Sequence, residues 1–337
     1  MSVLGALPSP ASAINVGHAD PDVRASLPRR LRLWSAERFP ATHGLLGAAI
    51  FLAAAFTGRA VSVSGPVVMD PRDVLGFLAV WAFFLTLRVA DEHKDYADDC
   101  RVHPGRVLQR GVVSPGTLRG VGAVSLLVQL AACIVYDRAI GGPVLMQWAI
   151  VLGWAGLMTV EFFAPRWLRG RLALYAVLHN LIVPLVILWI ARMGAPDATA
   201  LGIPVVLLAS ASLASGLVFE LARKTRAPED ERDGVATYSR LLGTRRAPLV
   251  TLAALAASGV LASSALLGVA PGKAGGVATV VVVAAVAAAG QALLAFRDDP
   301  SSSRAKRAEL LSGVAMVVSY LAVAGAVAAH RGIAWAR

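Results

Sequence analysis

Apolar runs long enough to cross a bilayer recur nine times along this chain, at residues 41–58, 73–90, 117–136, 143–163, 172–191, 201–222, 248–268, 276–296 and 309–329. A spanning helix needs about 20 apolar residues at its ~1.5 Å rise. In hydrocarbon every backbone N–H and C=O must find a partner within the protein, and a helix satisfies its own. The pattern predicts an all-α polytopic membrane protein with nine transmembrane helices around a central cavity. Composition agrees: 57% of the 337 residues are hydrophobic and 16% charged, against about 45–50% and about 25% in soluble domains. That balance excludes a disordered chain, a disulfide-stapled module and an ordinary soluble enzyme. Cys100 lies in a polar stretch and Cys133 in an apolar one, so they make no disulfide framework. The last three runs are rich in Ala, Gly and Val, which suits close helix packing in lipid.

The net charge of +11 has a topological reading. With the N-terminus in the cytoplasm, 25 of the 32 Lys and Arg residues fall on the cytoplasmic side. This is the positive-inside asymmetry, and it places the C-terminus outside. A basic face interleaved with aromatic residues, as nucleic-acid binders carry, is missing, so no nucleic-acid partner is expected. The Ala-, Arg- and Gly-rich usage fits a GC-rich bacterial chain, and hence an inner membrane. Residues 1–27 lack a signal-peptide pattern and are expected to be a disordered tail. The segment Arg29-Arg30-Leu31-Arg32-Leu33-Trp34 is basic and amphipathic. It is expected to lie on the membrane surface, or else to be ordinary positive flanking.

Two cytoplasmic loops, 91–115 and 223–247, are long and dense in charge. Connection alone does not explain them. If the second span continues as helix past the membrane, Glu92, Asp95 and Asp99 share one face, and Asp91, Asp95 and Asp98 form an overlapping stripe. Like charges so spaced repel. Either a divalent cation with oxygen ligands offsets them, or the helix end is solvated with Arg88 and Lys94 as local partners. Arg106 and Arg110, four residues apart, have the spacing of a phosphate clamp. At the other loop, Glu220 ends an apolar span, where an ionisable group needs a partner. Metal ligation and an ion pair with Arg223 or Lys224 are both open. Glu161 follows the fourth span, and His179 and Asn180 lie within the fifth. His179 either takes a proton or makes an interhelical hydrogen bond, to Glu161 or a backbone carbonyl.

Asp91-Glu92-His93-Lys94-Asp95-Tyr96-Ala97-Asp98-Asp99 resembles the Asp-rich NDxxDxxxD motif of the UbiA superfamily of intramembrane prenyltransferases. Asp95 and Asp99 match as they stand, while Asp91 replaces the Asn and Glu92 the first Asp. Arg106 to Ser114 is similar to the family's RPLPxGxIS stretch, keeping Arg106, Leu108, Gly111 and Ser114, with Val107 and Gln109 in place of the prolines. In the second loop, Glu220 matches the Glu of RExxKD, and Gly234, Thr237 and Gly243 match GxxTxxxxxG. Lys224 stands where an Asp is common, and the acidic group is displaced to Glu229, Asp230, Glu231 and Asp233.

The resemblance implies one UbiA-like transmembrane domain over residues 28–337 that ionises an allylic isoprenyl diphosphate with Mg²⁺, or Mn²⁺ in its place. Glu92, Asp95 and Asp99, supported by Asp91, would hold one ion. Glu220 with one of Glu229, Asp230 or Asp233 would hold another. Lys94, Arg106, Arg110, Arg223 and Lys224 would grip the diphosphate, and His179 would serve the cation or the acceptor. The acceptor would be aromatic or lipophilic. A terpene cyclase of the same type is the nearest alternative, since it shares the metal motifs and quenches the cation within its own chain. A transporter, with charges nearer the midplane, and a lipid-binding protein fit the one-sided charge less well.

Overall fold

The structure is a computed structural model that describes residues 21–195 and 201–336. Residues 1–20 of the expected N-terminal tail lie outside the described residues, and a single 3₁₀ turn occupies Pro21–Arg24. The helices are α1 (Leu27–Arg38), α2 (Thr42–Ser62), α3 (Arg72–Lys94), α4 (Tyr96–Val102), α5 (Pro115–Ile140), α6 (Val144–Thr159), α7 (Pro165–Arg169), α8 (Leu172–Asn180), α9 (Ile182–Gly194), α10 (Ile203–Arg223), α11 (Tyr238–Leu242), α12 (Ala247–Val269), α13 (Lys273–Asp298) and α14 (Ser302–Arg331). Eight segments are long and apolar enough to span a membrane, counting α8 and α9 as one, Leu172–Gly194. The fourth expected span, α6, is apolar but only 16 residues long. Each of the nine expected spans thus has its helix, and the fold is that of an all-α polytopic membrane protein.

Spans adjacent in sequence pack together, and α14 returns to α2, closing the bundle. Two short parallel strands, β1 (Val67–Met69) and β2 (Ile333–Trp335), tie the chain's C-terminal end to the α2–α3 connection. Arg331 donates to the Ala60 and Val63 carbonyls beside them. Asp70, at the end of β1, has its carboxyl held down to about 2 by the hydrogen-bonded Arg72 side chain.

Three local features shape the bundle. First, α2 and α9 cross with almost no side chain between them. A Cβ built on Gly58 would fall on the Ala191 carbonyl oxygen, and one on Gly194 on the Ala55 carbonyl oxygen. Second, the fifth span breaks at Leu181 between α8 and α9. Pro184 explains this, since it has no N–H to offer the Asn180 carbonyl. Third, a buried polar network joins three helices. Gln129 of α5 donates to the Thr86 hydroxyl of α3 at 2.9 Å and accepts from Trp148 Nε1 of α6 at 2.9 Å. Such hydrogen bonds fix helix register where hydrophobicity gives no direction.

The crossing can be tested. Gly194→Ala should lower the thermal stability of the detergent-solubilised protein by about 1–3 kcal/mol or more, the usual cost of overpacking. Gly153→Ala in α6, where an added Cβ meets no atom within 4 Å, should leave stability unchanged or slightly raised.

Candidate active site

The charged residues singled out in the sequence gather at one end of the bundle, where α3, α8 and α10 meet the loops. They are not arranged as the spacing suggested. The helix does not run on through the acidic motif: α3 ends at Lys94, Asp95 sits at the break, and α4 begins at Tyr96. The expected common face of Glu92, Asp95 and Asp99 is not open as a unit: on the two sides of the break, Glu92 is taken up by Arg38 and Asp99 by Arg106.

Each carboxylate has a separate environment. Glu92 is 1% exposed and turned toward the surface helix α1, where Arg38 Nε donates to its Oε1 at 2.5 Å. Asp99 pairs with Arg106. Asp98 pairs with Arg101 at the surface. Asp91 is half exposed, 3.9 Å from Arg88. Asp95 lies near Lys94, Asp91, Asp99 and Glu161, and its burial raises the carboxyl above the ordinary value, against the pull of Lys94.

Helix α1 does more than rest on the surface. Trp34 and Phe39 pack with Val89, Val107, Leu108, Val112, Val113 and Leu118. Arg30 donates to the Val112 carbonyl, and Glu37 accepts from the Val107 N–H at 3.1 Å. Arg110 pairs with Asp22 at 3.1 Å. The stretch from Arg106 to Ser114 is thereby fixed, and Ser114 caps α5 by accepting from the Thr117 N–H. Gly111 is needed because its φ is +75°.

At the second loop Glu220 accepts from Arg223 and Lys224, both at 2.6 Å. The ion-pair alternative for this residue is the arrangement present. The acidic residues after Pro228 hold the loop itself. Glu229 accepts from the N–H and hydroxyl of Ser302 and so caps α14; its own backbone N–H first, and then these hydrogen bonds, lower its carboxyl pKa. Glu231, outside the expected metal set, accepts from Thr237, Ser239 and Arg240. Asp233 pairs with Arg240 at the surface. Asp230 ends the 3₁₀ turn Pro228–Asp230. Thr237 also caps α11, and Gly234 and Gly243 take φ of +78° and +81°. The trailing motif is thus explained by loop geometry. Tyr238 anchors the loop to α8 through a long 3.5 Å hydrogen bond to the Leu172 carbonyl, and burial pushes its hydroxyl up to about 12.

Between the two motifs stands a group that sequence spacing did not assemble. Tyr175 and His179, one turn apart on α8, stack at 3.9 Å. His179 Nδ1 is bonded to the Tyr175 carbonyl, within its own helix, and its Nε2 has no hydrogen-bond partner among the described residues. Lys94 is near enough to the Tyr175 hydroxyl to act on it electrostatically. Lys224 Nζ is 6.0 Å from the centre of its ring. Lys94 is also 3.8 Å from Glu161. Glu161, Phe162 and Phe163 have φ of 48°, 53° and 58°, three consecutive left-handed residues at a cost of about 1–2 kcal/mol each. The turn buries Glu161 and sets Phe162 against Trp154 and His179. The signal for Tyr175 was its i, i+4 relation to His179. The left-handed turn had no sequence signal.

Mg²⁺ is held by one or two carboxylates together with phosphate oxygens. Among the described residues, no three His, Cys, Asp or Glu side chains come together as a metal site. Asp91 and Asp95, one turn apart, fit a single ion completed by a substrate's phosphate oxygens. Glu92, Asp99 and Glu220 do not fit without surrendering their cations. A separate cavity of about 270 Å³ around Arg59, Asp73 and Tyr136 lies at the opposite end and takes no part.

The Arg38–Glu92 pair makes a sharp test. Arg38→Ala should cost about 3–5 kcal/mol, because it leaves Glu92 charged and buried without a partner. Adding Glu92→Gln should restore a large part of the thermal stability. Arg101→Ala, which removes an exposed pair, should change stability by under about 1 kcal/mol.

No family model matches this chain, and no curated protein matches it. Solved structures do, two of them as follows. One, from work on digeranylgeranylglyceryl phosphate synthase in membranes, aligns with a TM-score of 0.60 at 15% identity, over 88% of this chain and 99% of that one. The other, the apo structure of a UbiA homolog from Aeropyrum pernix K1, aligns with a TM-score of 0.59 at 17% identity, over 83% of this chain and 98% of that one. This chain therefore has the fold of a UbiA homolog along nearly its whole length.

Proposed function

We propose that this protein is an intramembrane prenyltransferase that ionises an allylic isoprenyl diphosphate and passes the prenyl group to an aromatic or lipophilic acceptor. The observation that carries the reading is the group of Lys94, Tyr175, His179 and Lys224, set with Asp91 and Asp95 at one end of an apolar bundle that has the fold of a UbiA homolog. Charge for the diphosphate and greasy walls for the prenyl tail are then adjacent. The charge asymmetry supports a cytoplasmic position for this end and the N-terminus, and the Ala-, Arg- and Gly-rich composition supports a bacterial inner membrane.

The C–O bond breaks heterolytically, and its electron pair leaves with the diphosphate. Bound Mg²⁺, held by Asp91 and Asp95, would supply Lewis-acid stabilisation of that leaving charge. Lys94 and Lys224 donate hydrogen bonds to the diphosphate oxygens and stay protonated. Arg106 and Arg110 pair with Asp99 and Asp22, and Arg223, which shares Glu220 with Lys224, is the more exposed of the two, so these three support the site indirectly. The apolar helices exclude water, which would otherwise capture the cation. A nucleophilic carbon or oxygen of the acceptor forms the new bond, and His179 Nε2 takes the proton it releases.

A cyclase reading has one observation in its favour. Trp154, Phe162 and Tyr175 offer aromatic faces around His179, and aromatic faces attract cations.

The test is diphosphate release from the purified protein in nanodiscs, with geranyl, farnesyl or geranylgeranyl diphosphate, Mg²⁺ or EDTA, and mass analysis of the extract. Release that needs Mg²⁺ and an acceptor is expected. A cyclic product formed without an acceptor would establish the cyclase, and no release under any condition would refute both. Asp95→Asn should lower turnover at least about 100-fold, and His179→Ala about 100-fold, as loss of a general base does. Unchanged turnover and Mg²⁺ dependence in Asp95→Asn would remove Asp95 from metal binding.

A further inference from the structure

We propose that Lys94 and Lys224, meeting at Tyr175, form a two-lysine cradle that binds the diphosphate directly, so that the second motif supplies cations in place of a second metal ion. The proposal rests on the prenyl diphosphate reading above and specifies how its site holds the substrate.

The argument begins with what the second motif lacks. Four of its five carboxylates are engaged elsewhere: Glu220 with Arg223 and Lys224, Glu229 with the N-terminus of α14, Glu231 with Thr237, Ser239 and Arg240, and Asp233 with Arg240, while Asp230, at the end of the Pro228–Asp230 turn, is a single carboxylate apart from these. Metal ligation there would have to break these contacts. Freeing Glu220 would also leave two cations without their shared partner.

The motif does present an ammonium group. Lys224 is 24% exposed and Lys94 19%, so both are partly removed from water. Each ammonium has three N–H donors. Lys224 gives one to Glu220, an acceptor it shares with Arg223. Lys94 is paired with Glu161 only at 3.8 Å, a loose ion pair rather than a hydrogen bond. Donors therefore remain on both. The Tyr175 hydroxyl beside Lys94 is a further donor. These three donors come from α3, α8 and α10, three separate elements that an anion with several oxygens bridges.

Asp91 and Asp95, the neighbours of Lys94 at the end of α3, add negative charge beside it. A single divalent ion at these two carboxylates therefore adjoins the lysines without sharing their ligands. One ion would then adjoin Lys94 at the end of α3, and Lys224 would bring the second cation from the end of α10. No proton moves on binding: the lysines stay charged, and the leaving group keeps the electron pair of the broken C–O bond.

The experiment uses the full-length protein in nanodiscs with inorganic diphosphate as probe. Calorimetry in EDTA reads direct anion binding, and Mn²⁺ spectroscopy reads the number of ions bound per protein once diphosphate is present. The expected results are measurable, salt-sensitive diphosphate binding in EDTA and one Mn²⁺ per protein. Lys94→Met and Lys224→Met, which keep the apolar stems, should each weaken the EDTA affinity at least tenfold, whereas Lys306→Met on α14 should not. Two Mn²⁺ per protein, or an EDTA affinity that is absent in the wild type or indifferent to Lys94 and Lys224, would overturn the cradle. The wild-type ion count decides the matter even if a variant fails to fold. Metal-dependent prenyl transfer with two ions bound would sink the cradle and leave the prenyltransferase reading standing. Lysine-dependent diphosphate binding without turnover of any prenyl diphosphate would do the reverse.

Discussion

The contact of α2 with α9 is the constraint around which the bundle is arranged. In lipid the hydrophobic effect gives two apolar helices little reason to choose each other, so close packing of backbone must do it. Gly58 and Gly194 permit that approach, with the Ala191 and Ala55 carbonyls occupying the space a side chain would fill. The contact anchors α9 at the end away from the charged site. The break at Leu181 then lets α8 take its own direction toward the loops. Gly216 of α10 receives Asn180, with no room for a Cβ beside the side-chain oxygen. Tyr175 and His179 are thus carried on a short helix that is fixed at one end by glycine packing and free of the long helix behind it.

The second constraint is the cost of charge where water is scarce. At this end of the molecule most ionised groups are answered within the protein, Glu92 by Arg38, Asp99 by Arg106 and Glu220 by two cations. The proposed site draws on the remainder: Asp91 and Asp95 beside Lys94, and the ammonium groups of Lys94 and Lys224 near Tyr175. The motif-like residues therefore divide between two tasks. Some build the loops, and a smaller number face the place where chemistry would occur.

The fold was largely legible in the sequence because its signal is additive. Twenty apolar residues in a row read as a span whatever their neighbours, and the nine runs coincide with the observed helices. The break at Leu181 was readable in principle from Pro184, although hydropathy alone gives one continuous segment. The site was less legible. Spacing placed Glu92, Asp95 and Asp99 on one face only for an unbroken helix, and the turn at Asp95 removed that premise. Likewise, nothing local announced that Glu92 would face Arg38, which is 54 residues away in the chain, or that Glu231 would organise its loop. Acidic residues in a run look alike in sequence. Their partners, which decide their roles, come from other elements. The glycines were the exception, since Gly111, Gly234 and Gly243 each occupy a left-handed position.

The shortness of α6 bears on the surrounding membrane. Its 16 residues span about 24 Å at the helical rise, less than the ~30 Å hydrocarbon thickness of a typical bilayer. A segment too short for its surroundings draws the bilayer thinner beside it. The left-handed turn at Glu161–Phe163 follows directly after α6, with Phe163 80% exposed. Where the bilayer thins to match α6, lipid headgroups along this flank sit deeper than elsewhere around the protein. A molecule dissolved in the membrane by its tail meets the charged end there with less hydrocarbon to cross.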